Sequence, residues 1–134
     1  MKTILSMRIK DASSSISRGE TMHEYSIVQA LLDQCENIAR ENSATTVTKV
    51  VSKIGVMSGV EIHLLQVAFD TFKEGTMCHS AEFIINHQKL KLHCNSCQIE
   101  YETDEVNYQC KECSSSNLTV IDGEEMYLMS LEME

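Results

Sequence analysis

Two cysteine pairs, Cys94-Asn95-Ser96-Cys97 and Cys110-Lys111-Glu112-Cys113, stand twelve residues apart and constrain this chain more than any other feature. Two residues between cysteines let both sulfurs turn onto one ion from a tight turn. The twelve-residue excursion is long enough to run out and back as a short hairpin and bring the second pair opposite the first. Four thiolates in a tetrahedron suit Zn²⁺, which accepts sulfur ligands and makes no redox demand. With every position filled by protein there is no place for water or substrate, so such a zinc is structural. Two disulfides are the alternative in an oxidising compartment, but no stretch resembles a secretory signal. A rubredoxin-type iron site uses the same ligands, yet its knuckles usually carry Gly and Pro, and this chain has no proline. The apolar side chains nearby, Ile99, Tyr101, Val106 and Tyr108, are too few for a core. Metal binding then has to supply most of the folding free energy there, on the order of 10 kcal/mol.

The rest of the 134-residue chain is long enough for one further unit with its own core. Net charge is −9, and the four basic and two acidic residues of 1–21 leave −11 on the remainder, which argues against a surface that tracks phosphates. No apolar run approaches a membrane span. Six cysteines without a targeting segment point to a reducing cytoplasm. Neither nucleic acid nor membrane is an expected partner.

Residues 1–21 hold a serine cluster and no sustained periodicity, and are expected to form a disordered extension, with Ile4–Ile9 the one patch able to dock. A second reading makes Met22 the true start, since Arg18-Gly19-Glu20 can be encoded by a purine run resembling a ribosome-binding site. From Tyr25 to Glu41, Ile27, Val28, Leu31, Leu32, Cys35, Ile38 and Ala39 recur at helical spacing, with Cys35 as a small buried thiol. Val47–Val56 is a β-branched strand. Ser58-Gly59-Val60-Glu61 matches a capping box, Ser58 accepting from the Glu61 amide, before a helix expected to bury Leu64, Leu65, Ala68, Phe69 and Phe72 and to stop at Gly75. Glu82–His87, Lys89–His93, Leu118–Ile121 and Glu125–Met133 read as strands, with Asp122-Gly123 a turn. Met126, Met129 and Met133 serve as core fillers. The expected fold is α+β: two helices on a three-stranded sheet built from 22–91 plus 119–134, with an inserted four-cysteine zinc-ribbon-like module at 92–118.

Of five histidines, His63 falls opposite the apolar stripe of its helix, His87 closes a strand, and His93 adjoins Cys94, where it can hydrogen-bond the thiolates. His79 forms a soft pair with Cys78. His23 lies just before a helix and beside Glu24, which is usually ordinary surface. If Met22 is the first residue, however, its amine, the His23 amide and the His23 imidazole can chelate one ion in a plane, an array that suits Ni²⁺ or Cu²⁺.

MHEYSIVQALLDQCE, IGVMSGVE, the two CxxC pairs and the closing MYLMSLEME together resemble the hydrogenase nickel incorporation (HypA) family, from Met22 to the C-terminus. The resemblance implies a nickel metallochaperone and not an enzyme. It implies Ni(II) as cargo at Met22 (main chain), His23 and Glu24. Glu61 matches a further acidic position that serves nickel, the helix cap, or both. It also implies structural Zn(II) on Cys94, Cys97, Cys110 and Cys113. The implied partners are a maturation GTPase and the [NiFe]-hydrogenase large-subunit precursor, and the resemblance admits urease accessory proteins and a second copy of the chain in a homodimer. Some relatives carry histidines beside the CxxC motifs. Gln98, Ile99 and Ser114 stand there in this chain, so pH sensing through flanking histidines is not expected. The rival class is a zinc-ribbon adaptor, for which His23 is incidental. An enzyme is the weakest reading, because no nucleophile–base pair stands out.

Overall fold

A computed structural model describes residues 3–10, 23–105 and 107–134, with the backbone alone for Thr3–Lys10 and His23. The elements are β1 (Thr3–Lys10), α1 (His23–Glu41), β2 (Val47–Gly55), α2 (Ile62–Phe72), β3 (Glu82–Gln88), β4 (Leu90–Cys94), β5 (Glu100–Thr103), β6 (Leu118–Asp122) and β7 (Met126–Met133). They form two sheets, one of order β1-β7-β2-β3 and one of order β5-β4-β6.

The large sheet is mixed. β2, α2 and β3 make a crossover unit with parallel strands, and β7 returns antiparallel along the other side of β2. Within the extension expected to be disordered, Thr3–Lys10, which contains the Ile4–Ile9 patch read as able to dock, pairs antiparallel with β7, with a register shift between Ser6 and Ile9. Alternating apolar residues in that short stretch are enough for a strand once a partner edge is present. The other residues expected in the extension lie outside the described ones.

The apolar stripe of α1 is buried as its spacing requires: Ile27, Val28, Leu31, Leu32, Cys35 and Ala39 all enter the core. The helix ends where the Asn42 side chain donates to Ile38 O at 2.8 Å and Ser43 takes φ +58. α2 contributes Leu65, Ala68 and Phe69, and the Phe69 ring stacks on Phe83 of β3 at 4.4 Å. Burying each large side chain of this kind contributes about 2 kcal/mol. Leu64, expected in the core, is 51% exposed and Phe72 is 37% exposed. Phe72 still meets Tyr25 of α1 edge-on at 5.4 Å, so it covers the rim of the helix pair rather than its interior. Met126 and Met133 are core residues, while Met129 is half-buried.

The small sheet runs from Leu90 to Asp122, past both expected borders of the inserted module. Its core is small: Leu90, Leu92 and Tyr101 with Cys94 and Cys110, joined by half-buried Val56 and Met57 from the end of β2. The two sheets meet at a neck where Gly55 N donates to Glu125 O, Val56 N to Gln88 O and Met57 N to Gly123 O, at 2.8–3.0 Å. Lys53 on β2 reaches Asp122 at the end of β6. Among the described residues no helix is long and apolar enough to cross a membrane.

Candidate metal centres

The four cysteines of the paired motifs converge, with all Sγ atoms within 4.8 Å of one another. Cys94 Sγ lies 3.6 Å from Cys113 Sγ, and Cys97 Sγ lies 3.6 Å from Cys110 Sγ. These separations exceed a disulfide bond and match the edges of a sulfur tetrahedron around zinc, about 3.8 Å for metal–sulfur bonds of about 2.3 Å.

The convergence follows from two knuckles of the same construction. Cys94 N donates to Ile99 O at 2.8 Å and Gln98 N to Cys94 O at 2.9 Å; Cys110 N donates to Ser115 O at 2.8 Å and Ser114 N to Cys110 O at 2.9 Å. Each loop closes through a left-handed residue just after its second cysteine, Gln98 at φ +62 and Ser114 at φ +61. Glycine is the usual residue in that conformation, so the CxxC spacing, and not a glycine, is what marks these two turns in the sequence. Ser96 Oγ and Ser115 Oγ, 2.8 Å apart, tie one knuckle to the other. Among the described residues the excursion between the pairs forms no hairpin of its own. β5 pairs instead with β4, and the remaining described residues of the excursion make no strand, leaving Tyr108 exposed.

Backbone amides single out the first cysteine of each pair. The Cys97 amide, 3.4 Å from Cys94 Sγ, holds that thiol down to about 6 from 9.0. The amides of Cys113 and Glu112 hold Cys110 down likewise. Loss of hydration and the sulfurs of Cys94 and Cys110 push Cys97 up to about 12. The Ser115 amide pulls Cys113 down, but desolvation and the adjoining Cys94 and Cys110 raise it overall. A divalent ion bound here would displace the remaining thiol protons and take all four sulfurs as thiolates. The cluster can hold a metal ion such as zinc, and with four sulfurs it has no open position. His93 does not approach the sulfurs by hydrogen bonding; its Nδ1 faces Glu100 Oε1 at 3.7 Å across β4 and β5.

The other expected site falls at the start of α1. Met22 and the His23 side chain lie outside the described residues. Glu24 is 8% exposed, and its Oε1 accepts from the Glu61 amide at 3.2 Å. Glu61 itself caps α2, its Oε1 accepting from the His63 amide at 3.1 Å. The expected Ser58 capping box is therefore replaced: Ser58 Oγ accepts from Val60 N at 3.3 Å, and the Glu61 amide goes to a carboxylate from a distant part of the chain. No local pattern around Ser58 signals that. Cys78 turns into the core while His79 stays exposed, so the two do not make a ligand pair.

The fold and its sites define a small α+β protein in which a helix-covered sheet carries a four-cysteine, ribbon-like metal module. The family described as "Hydrogenase/urease nickel incorporation, metallochaperone, hypA" matches residues 22–133. Hydrogenase maturation factor HypA of Aquifex aeolicus is 55% identical over 113 residues, covering 84% of this chain and 98% of that protein. Its counterpart in Shewanella oneidensis is 53% identical over 113 residues, covering 84% and 96%. The solution structure of the Ni metallochaperone HypA from Helicobacter pylori superposes with TM-score 0.61 at 36% identity, covering 82% of this chain and 96% of that one. The chain belongs to the HypA family of nickel-incorporation metallochaperones.

Proposed function

We propose that this protein binds Ni²⁺ at the first turn of α1 and delivers it during maturation of [NiFe]-hydrogenase, with structural zinc on Cys94, Cys97, Cys110 and Cys113. The observation that carries the nickel reading is the Glu24–Glu61 contact, 3.2 Å from carboxylate to amide. It gathers the start of α1 and the cap of α2 at one place, within the segment the family matches.

The chemistry of that place suits a cargo site. The first amides of a helix have no partner inside the helix, so the His23 nitrogen can release its proton to solvent as it takes a metal ion. The positive end of α1 opposes a cation, and the carboxylates of Glu24 and Glu61 offset that. A few nitrogen donors at a chain segment, unlike a closed thiolate cage, bind an ion and let it go. Release goes to the hydrogenase large-subunit precursor with a partner GTPase, or to urease accessory proteins where a cell makes urease. The protein catalyses no step itself.

Titration of zinc-loaded protein should show uptake of one further equivalent of Ni²⁺, lost in His23→Ala. Deletion of the gene should leave hydrogenase made but inactive, with activity partly restored by excess nickel. Normal hydrogenase at limiting nickel in the deletion strain, or no nickel uptake by the protein, overturns the reading.

A further inference from the structure

The four sulfurs of the metal module are not equivalent. Cys94 and Cys110, the first of each pair, are buried, whereas Cys97 and Cys113, the second of each pair, are exposed. The construction of the knuckles produces this division. Cys94 ends β4 and, with Cys110, packs among Leu90, Leu92 and Tyr101. The turn residues Asn95, Ser96, Gln98, Lys111, Glu112 and Ser114 are all exposed, so each second cysteine stands on the solvent side of its turn.

Each outer sulfur also faces an inner one on the opposite knuckle. Cys97 Sγ lies 3.6 Å from Cys110 Sγ, and Cys113 Sγ lies 3.6 Å from Cys94 Sγ. Bonding across either gap requires closure to about 2 Å, a shift that side-chain rotation can supply. The contact between Ser96 Oγ and Ser115 Oγ at 2.8 Å keeps the two turns together meanwhile. Metal coordination removes the thiol protons and leaves the sulfurs as thiolates, the form that reacts with oxidants.

On the zinc reading above, we propose that Cys97 and Cys113 are oxidation sites for small hydroperoxides, and that crosswise bonding to Cys110 and Cys94 ejects the zinc. The Cys97 thiolate attacks one oxygen of hydrogen peroxide. An S–O bond forms, the O–O bond breaks, and the departing hydroxide takes a proton from solvent to become water. The Cys110 thiolate then attacks the sulfenic sulfur of Cys97. An S–S bond forms, the S–O bond breaks, and this second hydroxide also leaves as water with a proton from solvent. Two thiolates are oxidised by two electrons in all, and one peroxide is reduced to two waters. Cys113 and Cys94 react in the same way with a second peroxide. Each disulfide removes two of the four ligands, so the ion is no longer held. Cys35 and Cys78, buried in the main core, stay reduced.

The test treats the full zinc-loaded chain with hydrogen peroxide at neutral pH and follows released zinc with a chromogenic chelator. The protein is then alkylated and cleaved after Lys and Glu without reduction. About two peroxides should be consumed for each zinc released. The digest should contain residues 92–100 joined to both 106–111 and 113–124, with fragmentation placing Cys97 on Cys110 and Cys94 on Cys113. Dithiothreitol and added Zn²⁺ should restore the zinc content. Any other pairing, such as Cys94 with Cys97, overturns the proposal, and so does zinc loss with no disulfide formed. Zinc retained by a chain whose Cys97 and Cys113 stay unmodified overturns it too, as does oxidation of Cys35 or Cys78 ahead of the module. A chain that holds no zinc and takes none up before oxidant is added overturns the zinc reading itself, which separates the two failures. Because the map is read on the unaltered protein, no variant has to fold.

Discussion

Gly55 and Gly123 touch backbone to backbone where the two sheets meet: a Cβ added to Gly55 would stand 2.2 Å from Gly123 O. Gly123, at φ +106, is pressed in turn against Leu90, whose Cα would lie 2.7 Å from an added Cβ. With the Lys53–Asp122 ion pair beside them, these contacts set the small sheet against the large one.

Gly55→Ala must therefore move backbone, since no flexible side chain can give way. A cost of about 3 kcal/mol is expected, the upper range for overpacking. Gly75, at φ +80, has open space around its added Cβ, so Gly75→Ala should cost only the left-handed strain of about 1 kcal/mol. Urea unfolding of the two zinc-loaded variants measures the difference. Equal losses would mean that the neck yields.

The zinc module should come apart without taking the helices with it. Among the described residues its buried core is Leu90, Leu92 and Tyr101 besides two cysteines, against eighteen buried residues in the cluster under α1 and α2. Cys110→Ala, or a strong chelator, should remove stoichiometric zinc and expose Tyr101 while the far-ultraviolet helical signal persists. Simultaneous loss of helix and zinc would show that the neck couples the two sheets into one folding unit.

What could be read from the sequence divides along a physical line. The CxxC pairs and the stripe of α1 were legible because both are short-range patterns with one geometric solution. The exposure of Leu64 was not, because apolar spacing on a short helix marks a face without marking its edge. The capping of α2 and the pairing of Thr3–Lys10 with β7 depend on partners far along the chain, Glu24 in one case and Met126–Met133 in the other. The first leaves no trace in local periodicity, and the second shows only as a short apolar alternation whose partner the local sequence does not name.

Glu24→Ala should cost stability as well as metal. It leaves the Glu61 amide at the start of α2 without its acceptor, an expected loss of about 1–2 kcal/mol by denaturant unfolding. Glu24→Gln keeps an oxygen acceptor, so it should recover most of that stability while removing the charge that offsets a cation. A Gln variant as unstable as the Ala variant would mean that the negative charge, rather than the hydrogen bond, holds α1 to α2.

The start of the chain decides the first nickel donor. An amide nitrogen at Met22 coordinates Ni²⁺ only after metal binding forces off its proton, whereas a free α-amine has a pKa of about 8 and gives up its proton readily near neutrality. Protein beginning at Met22 should therefore bind Ni²⁺ at least about tenfold more tightly than the full chain, the equivalent of about 1.4 kcal/mol from one better donor. Removing residues 1–21 also strips β1 from the edge of β7, so shortening alone is not a clean comparison. A Met22-start protein acetylated at its amine supplies the control, because it lacks β1 yet presents an amide, as the full chain does. Nickel titration at neutral pH should rank the free-amine form first and the other two together. His23→Ala should cripple all three. An acetylated form as tight as the free-amine form would show that the Met22 nitrogen is not a ligand.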